Sequence, residues 1–277
     1  MRARTLDEAL AALDGDSKIL AGGQSLVPML NMRLVRPARL VDINAVPGLA
    51  GVRALPDGGL GIGALTRHTD LLTAPPVRER MPLLVAAVAH VGHRAIRNRG
   101  TVGGSLAHAD PAAELPAALL ALDARVTIAG PQGRRQLPLD SFFVGLLTTA
   151  LASDEILVDV EVPAARDVGW GFAEVARRVG DFALAGIAGV LRGARGRCTD
   201  ARLVAFGADD RPVRLRAAER ALVGAGPGAD VTAHAGAAAG AECRPPDDVH
   251  ASSEYRRHLV AVLTEQVVQD ALGRLPR

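Results

Sequence analysis

The apolar positions of the chain change period several times, and each change marks an element. Residues 5–10 read as a short helix, with Thr5 at the N-cap and Glu8 three residues on, the spacing of a capping box. An apolar burst at Ile19, Leu20 and Ala21 empties into Gly22-Gly23-Gln24-Ser25-Leu26. The pattern predicts a helix over 27–34, closed before Pro37, and strands over 40–43 and 60–64, the second followed by a helix over 66–72. Leu84, Val85, Val88, Val91, Ala95 and Ile96 keep helical spacing and predict one helix over 83–97, with His90, His93, Arg94 and Arg97 between them. A second glycine pair, Gly103-Gly104, comes next, and an apolar segment follows over 116–122.

Beyond it, residues 125–129 and 134–137 predict a hairpin around Pro131-Gln132-Gly133, residues 141–147 a short helix and residues 156–162 a strand. The composition shifts over 164–168, which reads as a linker. Three strand-like runs, 171–178, 184–191 and 201–206, suggest an antiparallel meander. The rest, 215–272, is alanine-rich and helical, with breaks at 224–228 and near Pro245-Pro246. A chain of 277 residues exceeds what one compact core usually holds, so two or three lobes are expected.

Composition narrows the chemistry. Hydrophobic residues at 49% can fill real cores, while 3% aromatics argue against base-stacking nucleic-acid platforms. A formal charge of +2 leaves no electrostatic footprint for DNA, RNA or acidic membranes. Lys18 is the only lysine, a compositional bias that arginine absorbs on most solvated surfaces. Cys198 and Cys243 stand far apart with no CxxC, so no zinc or iron–sulfur site is expected. The first ten residues carry Asp7 and Glu8 and no long apolar run, and no run reaches the ~18 residues of a membrane span. A cytoplasmic protein is the expectation.

The two glycine pairs carry the most chemistry. Glycine lets a ligand approach the backbone closely, and amides aimed out of a turn at a helix entry form an anion site suited to phosphate. Either pair alone could be a steric device of a tight turn. Together, Gly22-Gly23-Gln24-Ser25 and Gly103-Gly104-Ser105 suggest two turns converging on one diphosphate. Asp110 and Glu114 are four apart and would share one face of a starting helix, within reach of sugar or polyol hydroxyls. The standard nucleotide motifs are missing: Lys18 is followed by Ile19, which excludes a P-loop, and Thr66 stands where GxGxxG needs its last glycine. His108 and Asp110 with Ser25 or Ser105 lack a GxSxG frame for a hydrolase triad. His90 and His93 read as a solvated helix face rather than metal ligands. Arg177-Arg178 with Asp181 reads as a surface salt bridge, unless the turn faces a ligand across a domain junction.

In chain order, Ala21-Gly22-Gly23-Gln24-Ser25-Leu26, Gly63-Ala64-Leu65-Thr66, 97–105 (RNRGTVGGS) and 176–183 (ARRVGDFA) resemble the FAD-binding medium subunit of molybdenum hydroxylases, the carbon monoxide dehydrogenase and xanthine dehydrogenase family. The resemblance covers essentially the whole chain. It implies an α+β fold, with a two-lobed vanillyl-alcohol-oxidase (PCMH)-type FAD-binding domain over 1–165, its lobes about 1–56 and 57–165. A CO-dehydrogenase-flavoprotein-like domain over 170–277, a three-stranded antiparallel sheet with helices, would follow. It implies that Ile19, Leu20, Ala21, Gly22, Gly23, Gln24, Ser25 and Leu26 hold the FAD diphosphate together with Thr101, Gly103, Gly104 and Ser105. Glu114, with Asp110 nearby, would face the sugar and polyol part. Val91, Gly92 and Leu157 would lie at the ring, and Arg178 and Phe182 would approach it from the second domain. Some relatives carry a lysine near the position of Ala173; its absence leaves Arg177 or Arg178 to offset charge on the flavin.

The resemblance also implies non-covalent FAD that receives electrons from a small [2Fe–2S] partner and passes them to an external acceptor. A large molybdenum-pterin partner would hydroxylate the substrate, the assembly being a dimer of heterotrimers. Two alternatives stand beside it: a stand-alone FAD oxidoreductase of the same fold with its own small substrate, and a module that keeps the fold without flavin.

Overall fold

The computed structural model describes residues 1–194, 197–226 and 228–276. Helix Leu6–Ala11 starts where the cap places it: the Thr5 side chain accepts from the Glu8 amide at 3.1 Å, and the Glu8 carboxylate accepts from the Arg4 amide at 2.7 Å. Strand Ser17–Leu20 pairs in parallel with Arg39–Asp42. Helix Leu26–Asn31 is the crossover between them. The glycine turn therefore stands at the carboxyl end of a parallel strand, where such units bind ligands.

An antiparallel sheet follows in the order Val52–Ala54, Leu60–Gly63, Ile156–Val162, Arg125–Gly130, Gly133–Pro138, so Val52–Ala54, expected within a lobe of about 1–56, belongs to the sheet of the residues after it. Its helices, among them Pro82–His90, Val102–His108 and Glu114–Ala121, pack on one face. Glu114–Ala121 is buried along its whole length, which is why its sequence is apolar on every side. The other face receives the first lobe, through Ala129, Ile156 and Val158 against Val41, Ile43 and Leu49.

Two predicted helices are corrected. Residues 83–97 form two helices, Pro82–His90 and Arg94–Arg99. Gly92 takes a left-handed conformation (φ 46°), and the Arg97 guanidinium donates to the Val91 and Gly92 carbonyls at 2.9 Å each. A side chain thus satisfies carbonyls that a continuous helix would have used. Residues 141–147 form no helix. A 3₁₀ turn, Leu139–Ser141, is followed by a hairpin of Phe143–Gly145 with Thr148–Thr149. Phe142 and Phe143 are both buried, edge to face at 5.3 Å, and their burial overrides helical spacing.

The expected three-stranded meander has a fourth member. Val168–Ala176, Ala183–Ala194 and Arg197–Phe206 are joined at the edge by Val213–Arg214, two residues too short to leave a period. Residues 183–191 of the strand Ala183–Ala194 read as a continuous apolar run because both of its faces are covered there. Ala188 and Val190 join the core under Glu114–Ala121, whereas Ala185 and Ile187 join the core under the C-terminal helices. Those helices are Arg216–Leu222, Ala229–Glu242 and Ser253–Gly273. The break at 224–228 falls between the first two as expected; Pro227 within it, and Arg277 at the end of the expected second domain, lie outside the described residues.

Candidate functional site

The two glycine stretches, about 80 residues apart in sequence, meet in space. Gly22 lies so close to the Arg99–Gly100 backbone that a Cβ there would collide with the Arg99 carbonyl. Two side chains tie the turns together. Asn44 donates to the Ala21 carbonyl at 2.9 Å, and Arg67 donates to Asn44 Oδ1 at 2.7 Å and to the Arg99 carbonyl at 2.5 Å. Neither residue was singled out from the sequence, because a tie between distant turns leaves no local pattern.

The turns differ in what their amides do. In the first, Gly23 is left-handed (φ 74°), and the amides of Gly22, Gly23, Gln24 and Ser25 donate to no acceptor among the described residues. In the second, glycines do not precede the helix but form its first turn, Val102–His108. The Gly103 amide donates to the Ala64 carbonyl at 2.8 Å and the Gly104 amide to Thr101 Oγ1 at 3.1 Å. The expectation of two outward-aimed amide cradles is therefore corrected to one. Gly103 is glycine for packing, since a Cβ would stand 2.6 Å from that of Ala64.

His68 lies beneath the second turn, its Nε2 3.1 Å from the Thr101 carbonyl and 3.0 Å from Ser105 Oγ. A carbonyl only accepts, so Nε2 carries the proton, and the Ser105 hydroxyl is left free to turn toward the cleft. Burial holds the imidazole pKa down to about 4, so the ring is neutral.

Both turns open on a cleft of about 740 Å³. Its far end is built by Glu114 at the start of Glu114–Ala121 and by Asp110 in the preceding link. Asp110 does not share a helical turn with Glu114: Ala109 is left-handed (φ 52°) and ends the previous helix, and Asp110 Oδ1 accepts from the Ala112 amide at 2.9 Å. Burial, with Glu174 nearby adding to it, pushes the Glu114 carboxyl up to about 7. The hairpin residues Leu147, Thr148 and Thr149 line another side.

Of the residues singled out from the sequence, Ile19, Ala21, Gly22, Gly23, Gln24, Ser25, Leu26, Val91, Gly92, Thr101, Gly103, Gly104, Ser105, Asp110, Glu114, Leu157 and Phe182 line this cleft, and Leu20 and Arg178 do not. Gly180 and Asp181 beside Phe182 do, so the turn after Val168–Ala176 faces the cleft; the expected salt bridge is corrected, since Asp181 Oδ1 accepts from the Phe182 amide at 3.0 Å and pairs with neither arginine among the described residues. Arg177 contacts His250 at 2.7 Å. Ala173 belongs to the core under the C-terminal helices, on the face of its strand turned away from Phe172 and the other core. His90 is not simply solvated, as its Nδ1 lies 3.0 Å from Glu174 Oε1. Lys18 and His68 also line the cleft without having been expected there. Among the described residues no cluster of His, Cys, Asp and Glu suits a metal ion, and no helix is long and apolar enough to cross a membrane.

Residues 1–165 match the family described as the FAD binding domain in molybdopterin dehydrogenase, and 170–271 match the CO dehydrogenase flavoprotein C-terminal domain. The 6-hydroxypseudooxynicotine dehydrogenase complex subunit alpha of Paenarthrobacter nicotinovorans is 43% identical, over 98% of this chain and 93% of its own length. The nicotine 6-hydroxylase medium subunit of the same organism is 41% identical, over 96% and 93%. A carbon monoxide dehydrogenase structure from Hydrogenophaga pseudoflava, one that lacks the Mo-pyranopterin moiety of its cofactor, superposes with a TM-score of 0.97 at 36% identity, covering 99% of this chain and 97% of that one.

Proposed function

The chain belongs to the FAD-binding medium subunits of the molybdenum hydroxylase family, and from that membership we propose that the cleft holds FAD on an electron path between partner subunits and an external acceptor. The observation that carries the reading is the row of unpartnered amides at Gly22–Gly23–Gln24–Ser25, at the carboxyl end of a parallel strand and facing the cleft. Unsatisfied donors in a glycine turn call for an anionic acceptor, and a diphosphate supplies one. The cleft volume of about 740 Å³ lies in the range of cofactor sites.

Each wall then has a task. The amide cradle binds the diphosphate, and Arg67 and Asn44 hold the two glycine turns at the spacing it requires. Ser105 and Glu114 offer hydrogen bonds to the polyol, with Glu114 close enough to neutral to donate as well as accept. Val91, Gly92, Leu157 and Phe182 flank the ring and exclude water. FAD, once bound non-covalently, supplies the redox chemistry, exchanging electrons singly or in pairs. Position 173 faces the C-terminal helices and offers no side chain to the cleft.

In this reading residues 1–165 form the FAD-binding domain and 170–277 a second domain that closes the cleft. Electrons arrive from a [2Fe–2S] subunit, hydroxylation occurs at a molybdenum-pterin subunit, and the complex is a dimer of heterotrimers. The test is the visible absorption spectrum of the purified chain after incubation with FAD and desalting, alone and co-expressed with the two partners. Retained flavin, reducible through the partners but by no small substrate of the isolated chain, is the expected result. Direct substrate reduction of the isolated flavoprotein would instead favour a stand-alone oxidoreductase.

A further inference from the structure

One cluster of titratable side chains joins the two domains just behind the cleft. His90 ends the helix Pro82–His90, Glu174 stands in the strand Val168–Ala176, and His90 Nδ1 lies 3.0 Å from Glu174 Oε1. The Glu174 side chain is 4% exposed and that of His90 46%. Glu174 Oε2 is buried and has no hydrogen-bond partner among the described residues. A buried carboxylate with one oxygen unsatisfied is costly unless a cation stands beside it, and His90 is that cation when protonated. The hydrogen bond to Glu174 raises the His90 pKa above its ordinary value. Phe172 packs on the imidazole at 5.1 Å and itself stacks on Phe206, which fixes the ring in place.

Both partners stand at the roots of cleft-lining turns. Val91 and Gly92 follow His90, and the segment after Glu174 leads to Gly180, Asp181 and Phe182. The two turns touch: a Cβ on Gly180 would lie 2.6 Å from the Gly92 carbonyl oxygen. The other charges near the pair are Glu114, which acts on His90, Asp110, which acts on Glu114, and Arg97, which donates to the Val91 and Gly92 carbonyls. On the neighbouring strand, uncharged Gly186 stands opposite Glu174.

We propose that His90 and Glu174 are positioning residues for the cofactor, whose charge-assisted bond clamps the Val91–Gly92 turn against the Gly180–Phe182 turn, so that FAD is held most tightly while His90 is protonated. This rests on the assignment of the cleft to FAD. The clamp is complete below the ordinary imidazole range and is released as pH rises through the raised pKa of His90.

The test is a double-mutant cycle on the full-length chain, with wild type, His90→Gln, Glu174→Gln and the double variant. FAD dissociation constants would be read from flavin fluorescence on titrating the flavin-free proteins, at pH ~6 and ~9. At the lower pH each single variant should lose about tenfold in affinity and the double variant no more than either single, the mark of one shared interaction. At the higher pH the His90→Gln penalty should vanish. Glu174 raises the Glu114 pKa and His90 lowers it, so Glu114 enters the coupling; the cycle is therefore repeated in a Glu114→Gln background, where the same coupling at the lower pH is expected and its loss would overturn the clamp. Additive or absent penalties, with flavin still bound, would overturn the clamp and leave the cleft assignment standing. No flavin binding by wild type at either pH would overturn the cleft assignment and the clamp with it. Should Glu174→Gln fail to fold, the half-exposed His90→Gln decides alone: a pH dependence equal to that of wild type rejects the clamp.

Discussion

Gly22 shows how a single residue serves fold and site together. Its missing Cβ lets the first glycine turn lie against Arg99 and Gly100, and the same turn leaves its amides free. Gly22→Ala should therefore part the two turns, costing about 1–3 kcal/mol of stability by overpacking and abolishing FAD retention through desalting. Equal flavin content in variant and wild type would remove the diphosphate assignment. Glu114 acts differently, since it lines the cleft without shaping the backbone. Glu114→Ala should weaken FAD binding by about 1–3 kcal/mol, the cost of a lost hydrogen bond to a buried group, and an unchanged dissociation constant would take Glu114 off the polyol. Both residues were legible from the sequence, the glycine by its pairing and the carboxylate by its place after the second motif. Asn44 and Arg67 were not, because their role exists only once two distant turns are brought together.

At the scale of elements, the helix Val102–His108 matters through its start. Thr101 accepts from the Gly104 amide and so spends on capping a donor that the sequence pattern had offered to the ligand. Thr101→Ala should cost about 1 kcal/mol in chemical denaturation, with the helix end fraying into the cleft. The neighbouring helix Glu114–Ala121 is buried on all sides, and Leu119 within it is fully enclosed. Leu119→Ala should cost about 2–5 kcal/mol, a loss in global stability that FAD binding would only partly offset. The helix that the sequence continued over 83–97 shows the limit of periodicity. Apolar spacing persists through Val91 and Ile96, yet Gly92 turns left-handed and Arg97 caps the exposed carbonyls, which creates the turn that faces the cleft.

Across the whole molecule, two buried groups give stability opposite dependences on pH. His68 has its folded pKa depressed from 6.5 to about 4, so its contribution is full above 6.5 and is lost as pH falls toward 4. Glu114 has its folded pKa raised from 4.5 to about 7, so its contribution is full below 4.5 and is lost as pH rises through 7. The two windows overlap between about 4.5 and 6.5, so the opposed slopes largely cancel in the wild-type chain. Thermal unfolding of the flavin-free variants should separate them: His68→Gln should lose stability as pH rises through this range, and Glu114→Gln should gain it. Identical pH profiles for wild type and both variants would contradict the burial of these groups. The four-stranded sheet belongs to this scale as well. Its strand Ala183–Ala194 serves two cores at once, one shared with Glu114–Ala121 and one with the C-terminal helices.

Local spacing carried the two glycine pairs and the antiparallel meander with its helices, and motifs in fixed order carried the family and with it the α+β fold. Packing between distant segments settled which amides remain free, where a helix breaks, that residues 143–149 form a hairpin instead of the expected helix, and that His90 meets Glu174. The reason is physical. A backbone donor, a carbonyl or a buried carboxylate is satisfied or left open by whatever lies across from it, and that partner is set by packing between segments far apart in the chain.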